Sequence, residues 1–186
     1  MFNLPQHLVD KGRIYADWVD PMFLDLVNTA RLEGKRLVVV NGCFDILHTG
    51  HLSVFRTARE CPHPQRQQLL VVNGLVLPNT FVIAALNSDA YVRRLKGDER
   101  PYMPLEQRLV MVRALRYVDA AVGFGEDTPE TMLAIIKPHV LVKGAEYSNT
   151  KPPGAKFCEE VVFAPMESTV HSTQLLSALR DGAYGS

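Results

Sequence analysis

The feature that most restricts how this chain can fold is a series of short apolar runs, each followed by a helical stripe. RLVVVN at residues 36–41 is one of them. A run of strand length with no polar alternation reads as a strand buried on both faces, as in parallel sheets covered by helices. Comparable runs stand at 81–86, 118–124, 140–142 and 161–164, giving five core strands. Helical patterns separate them. Asp20 can cap a helix with Pro21 at its first position, Phe23, Val27 and Ala30 on one face and Gly34 as its stop. Leu52, Phe55 and Ala58 mark a second helix, and Ser88 caps a third that runs to about Leu95. Leu105, Leu109, Val112 and Leu115 mark a fourth. Thr128-Pro129 opens another in the cap-then-proline manner, and Ser172 caps a last one through Arg180. Between the second helix and the second core strand, LLVV and LVL flank Asn73-Gly74, a strong hairpin signal over 69–77.

This alternation predicts an α/β fold: a Rossmann-like three-layer sandwich with a five-stranded parallel sheet and an inserted hairpin. With 186 residues the chain suits one domain, an N-terminal extension and helix over 1–34 and a core over 35–186. Twenty basic side chains balance twenty acidic ones, so composition gives no reason to expect nucleic acid or a membrane surface as partner. The three cysteines, Cys43, Cys61 and Cys158, form no C-x-x-C pair and read as free thiols. The first residues carry no apolar leader, and no run approaches the ~20 residues of a membrane span, so the expected location is the cytoplasm.

In parallel sheets ligands bind beyond the carboxyl ends of the strands. The unusual polar residues fall there: 42–51 after the first core strand, 87–89 after the second, 143–144 after the fourth and 168–173 after the fifth. The most informative stretch is NGCFDILHTGHL, residues 41–52. Gly42 is expected to turn the chain sharply off its strand and let backbone N–H groups approach a phosphate. His48 and His51, three apart at a helix start, share a side. A helix N-terminus already favours anions, and two imidazoles there make a donor cluster for a triphosphate. Blander readings exist. A His pair can belong to a metal site, but only Asp45 and Cys43 stand nearby as further ligands. Asp45 can simply bond turn N–H groups, Ser88 can serve only as a cap, and Lys96 and Arg100 can be a solvated charge run.

Residues 42–51, GCFDILHTGH, resemble the G-x-F-D-x-x-H-x-G-H signature of the cytidylyltransferase-like nucleotidyltransferases. LNSDAYVRRLKGDERPYMPLEQR and VLVKGAEY are most similar to the adenylyltransferase domain of bacterial heptose-phosphate enzymes. The resemblance covers roughly residues 20–144. It implies transfer of AMP from ATP to a sugar 1-phosphate, with pyrophosphate released and Mg2+ arriving with the triphosphate. The alternatives are a CTP-dependent enzyme acting on a polyol or amino-alcohol phosphate, and a non-catalytic nucleotide-binding protein. By resemblance, His48, His51, Lys96 and Arg100 are catalytic. Asn41, Gly42, Cys43, Phe44, Arg108, Lys143, Gly144, Ser172 and Thr173 join the two histidines in holding nucleotide. Asp45, Asn87, Asp89 and Glu146 face the acceptor. No protein metal ligand is expected, and a homodimer is implied by resemblance alone. The segment 165–173 departs from the family's G-x-S-T-T pattern at Thr169 and His171, and Met166 stands where cytidylyltransferases often have Arg, which favours ATP. The stretch 61–80 is longer than the short turn of similar enzymes, and the chain reads as a stand-alone transferase without a fused kinase.

Overall fold

A computed structural model of the chain describes residues 14–61, 70–72, 75–77 and 79–165. The expected last helix, with Met166, Thr169, His171, Ser172 and Thr173, lies outside the described residues, as does the Asn73-Gly74 turn.

The elements in chain order are β1 (Ile14–Tyr15), α1 (Pro21–Leu32), β2 (Arg36–Gly42), α2 (Thr49–Arg59), β3 (Leu70–Val72) and β4 (Leu75–Leu77). They continue with β5 (Thr80–Asn87), α3 (Asp89–Lys96), α4 (Leu105–Arg113), β6 (Ala120–Phe124), α5 (Glu130–Ile136), β7 (Val140–Gly144) and β8 (Glu160–Ala164). Short 3-10 turns occupy Ala145–Tyr147 and Ala155–Phe157. The main sheet has six strands in the order β1-β6-β5-β2-β7-β8, and every pairing is parallel. From β2 the chain builds outward through β5 and β6, then returns to the opposite side of β2 for β7 and β8. The order therefore reverses between β2 and β7, where a crevice opens at the carboxyl ends.

Successive residues of one strand face opposite layers. Leu37 and Val39 join Ile83, Val122 and Leu141 in a core with Phe23 and Val27 of α1 and Leu133 and Ile136 of α5. Val38 and Val40 join Val82, Ala84 and Val142 in a second core with Phe55 and Ala58 of α2 and Leu109 and Val112 of α4. Two helical layers thus sandwich one sheet, as the apolar runs predict.

The sixth strand corrects the expectation of five. Residues 14–15 fall in a stretch that reads as irregular, yet they pair with Ala121 and Val122 of β6. Tertiary contacts support this stretch: Tyr15 packs on Phe23 with ring centroids 5.2 Å apart, and Trp18 Nε1 donates to Glu126 Oε1 at 3.0 Å. The helix starts are partly as expected. Asp20 Oδ1 accepts from Met22 N at 2.8 Å behind Pro21, and Ser88 Oγ accepts from Tyr91 N at 3.3 Å. Thr128 does not cap α5, which begins directly after Pro129 with no side-chain cap. The segments flanking Asn73-Gly74 form an antiparallel pair, Leu70 opposite Leu77.

Candidate active site

The cavity at the carboxyl ends of the strands has a volume of about 510 Å³, within the range of small-molecule sites. Asn41, Gly42, Cys43, Phe44, Asp45 and His48, at and beyond the end of β2, line one part of it, Asn87, Tyr91 and Lys96 a second, and Lys143–Tyr147 a third.

β2 runs straight through Gly42, so the expected sharp turn is not there. The chain bends two residues later at Phe44, whose φ of 47° lies in the left-handed region that non-glycine residues rarely enter. That conformation wedges the Phe44 ring beneath Gly42, where an added Cβ would come within 3.1 Å of it. The same ring stacks on Phe55 at 4.9 Å and meets His51 edge-on at 5.2 Å. Phe44 thus acts as a buried support under one of the two imidazoles.

His48 is the N-cap residue of α2, and its side chain does not cap the helix. The His48 and His51 rings lie 3.8 Å apart between centroids, tilted by 31°, at the helix tip. Gly50 makes this packing fit: a Cβ there would sit 3.0 Å from both Cε1 and Nδ1 of His48. A larger residue between the histidines would make the His48 ring shift from this position. Helix tip and paired imidazoles face the cavity together.

Across the crevice, Lys143 at the end of β7 donates from Nζ to Asn41 Oδ1 at 3.0 Å and sits 4.6 Å from the Tyr147 ring centroid. Burial lowers its pKa to about 8, with Glu146 pulling weakly the other way. Burial likewise raises the Tyr147 phenol, with Glu146 adding to it. The Glu146 carboxylate folds back over Gly144, so a side chain added at Gly144 would displace that carboxylate. On the opposite wall Cys43 Sγ makes a weak 3.9 Å contact with Asn87 Oδ1.

Of the expected site residues, Asn41, Gly42, Cys43, Phe44, Asp45, His48, His51, Asn87, Lys96, Lys143, Gly144 and Glu146 come together around this cavity. Arg100, Arg108 and Asp89 do not line it. Arg100 is buried, and its Nε donates to Asp45 Oδ2 at 2.6 Å instead of projecting into the cavity. Asp45 Oδ1 also accepts from Met103 N at 3.0 Å, so both carboxylate oxygens serve the 97–104 loop. Arg108 is fully buried and bonded to protein acceptors, one of them Asp89 Oδ1 at 2.6 Å. The two guanidinium groups are held by partners 55 and 19 residues away that no local pattern reveals. Tyr91, Leu95, Asp127, Thr128, Pro129 and Pro153 line the cavity without having been expected as site residues. Position after β5 and β6 was the available signal for the first five.

Among the described residues no group of three His, Cys, Asp or Glu side chains could hold a metal ion. Asp45 is engaged by Arg100, Glu146 lies over Gly144, and Asp127 pairs with Arg94. The described residues do not fit a protein-held metal. No helix among them is long and apolar enough to cross a membrane.

A parallel α/β sheet here brings a helix tip, paired imidazoles and a buried lysine around one crevice, a set of groups whose chemistry favours anions. The chain belongs to the cytidylyltransferase-like family, whose model matches residues 39–178. It is 44% identical over 163 residues to the bifunctional protein HldE of Shigella sonnei (strain Ss046), covering 86% of this chain and 31% of that protein. It is 38% identical over 158 residues to the bifunctional protein HldE of Proteus mirabilis (strain HI4320), covering 83% and 30%. The chain thus spans about 30% of the length of these curated relatives. Among solved structures, the lipopolysaccharide core biosynthesis protein from Thermoplasma volcanium GSS1 superposes with a TM-score of 0.46 at 16% identity, covering 80% of this chain and 88% of that one.

Proposed function

We propose that the chain transfers AMP from ATP to a sugar 1-phosphate, heptose 1-phosphate in the first instance, releasing pyrophosphate. The observation that carries this reading is the stacked His48–His51 pair at the tip of α2, facing a cavity large enough for a nucleotide. Family membership and the similarity to the HldE proteins support it. An acceptor phosphate oxygen attacks the α-phosphorus, the bond from that phosphorus to the bridging oxygen breaks, and pyrophosphate leaves with the electron pair. The nucleophile is already an anion, so no strong base is required. The protein's task is to align the two phosphates and neutralise charge on the phosphoryl oxygens.

His48 and His51 donate hydrogen bonds to those oxygens beside the N–H groups of the helix tip. Lys143 adds a positive charge from the opposite wall, and Lys96 a second one from the end of α3. Glu146 repels phosphate and therefore serves neutral hydroxyl groups. Ser172 and Thr173 supply hydroxyls to the nucleotide. Magnesium comes as part of the triphosphate substrate, and the reaction takes place in the cytoplasm.

The test measures pyrophosphate release with ATP, CTP, GTP or UTP against a panel of sugar 1-phosphates and polyol phosphates. ATP with heptose 1-phosphate is the expected pair. Release only with CTP and glycerol or ethanolamine phosphate would overturn the choice of substrates. Tight nucleotide binding with no release from any pair would overturn catalysis itself.

A further inference from the structure

We propose that Arg108 is a positioning residue, which fixes the spacing between the 43–51 turn and the start of α3 and makes no contact with bound nucleotide. The proposal rests on the reading of the cavity as a nucleotide site. The β2–β5 ladder ends at the pair Gly42 and Leu86. Beyond it the two chains part, Cys43 toward the histidines and Asn87 toward α3. Arg108 bridges that gap from α4. Its Nη1 donates to Cys43 O at 2.5 Å, and its Nη2 to Asn87 O at 2.8 Å and to Asp89 Oδ1 at 2.6 Å. Its Nε donates to Met103 O at 3.0 Å, which ties in the 97–104 loop. One planar fork thus joins three segments that converge on the cavity, two of them through carbonyls of cavity-lining residues.

The side chain is 0% exposed, and Asp89 compensates its charge. Turning the guanidinium toward a phosphate would leave three carbonyls and a carboxylate without this donor, the Asn87 carbonyl among them in a buried contact. Lysine cannot substitute, because a single ammonium on a flexible stem does not reproduce the fork. Arg108 therefore acts through the turn that carries His48 and His51.

The experiment compares the wild type with Arg108→Lys, and with Asp89→Asn, which removes one charge while keeping shape and serves if the first variant folds poorly. Three quantities are read: calorimetric affinity for Mg·ATP, turnover, and amide hydrogen exchange over residues 43–51. The expected result for Arg108→Lys is at least tenfold faster exchange in that segment and at least tenfold lower kcat, with KM and Kd for ATP within threefold. Asp89→Asn moves the same quantities in the same directions by less. A tenfold or larger loss of ATP affinity with exchange over 43–51 unchanged would mark a direct phosphate ligand and overturn the proposal. If the wild type releases no pyrophosphate with any pair, the functional reading fails, and the exchange comparison still decides the role of Arg108.

Discussion

Replacing Asp45 with Asn should destabilise the protein sharply. The Asp45 carboxylate is 1% exposed, and its partner, the Arg100 side chain, is 8% exposed. The asparagine amide can still accept from Met103 N, but its NH2 or neutral oxygen meets the Arg100 fork in place of an anion. Among the described residues Arg100 Nη2 is already buried without a hydrogen-bond partner, so the guanidinium is partly unsatisfied even before the change. Breaking one side of a buried pair costs about 3–5 kcal/mol. That is a large share of a total stability of about 5–15 kcal/mol. Urea unfolding at neutral pH is the assay. With an m value of about 2–3 kcal/mol/M, the midpoint should fall by roughly 1–2.5 M with m unchanged. Removing both charges together, Asp45→Asn with Arg100→Met, should recover part of the loss, because the penalty comes from the unpaired cation. A loss below about 1 kcal/mol in the single variant, or additive losses in the double one, would show that the pair is not the desolvated contact described.

Gly50→Ala should leave helix α2 intact or slightly stabilised, since alanine favours helix over glycine by about 1 kcal/mol. The added methyl should displace the His48 ring, and an unchanged kcat would refute that packing. Lys143 has its pKa lowered to about 8, so its charge is present below that pH and lost above it. kcat/KM, which reports the free enzyme, should therefore fall as pH rises through about 8. Lys143→Arg stays charged and should remove that fall, and a profile identical to wild type would sink the assignment. His48→Ala or His51→Ala should lower kcat by ~10²-fold or more while circular dichroism and melting stay near wild type, as for other lost transition-state donors. Wild-type turnover in either variant would exclude that role.

The layers of the fold were legible because strand burial leaves a continuous apolar run, and because Asp20, Pro21 and Ser88 are local capping signals. The adjacency of the two histidines at a helix start was legible because it is local: they and Gly50 interact within four residues of one another. Strand β1 was not, since two residues at an edge leave no periodicity and depend on Trp18 reaching Glu126, 108 residues away. The buried arginines were also hidden. An arginine in a polar loop or on a helix reads as solvated until its acceptor is known. For Arg100 that acceptor lies 55 residues upstream, and for Arg108 the carbonyl of Cys43 lies 65 residues upstream. The bend at Phe44 was misplaced onto Gly42 because glycine is the expected residue at positive φ, whereas here the ring's packing on Phe55 and His51 holds phenylalanine there.

Side-chain NMR of the imidazoles during titration with a non-hydrolysable nucleoside triphosphate probes the polyphosphate grip itself. Both His48 and His51 ring resonances should shift together, saturating at one affinity, with His139, bonded to Leu37 N at the far end of the sheet, unmoved. Saturable nucleotide binding that leaves both rings of the pair unperturbed would contradict the account at its root.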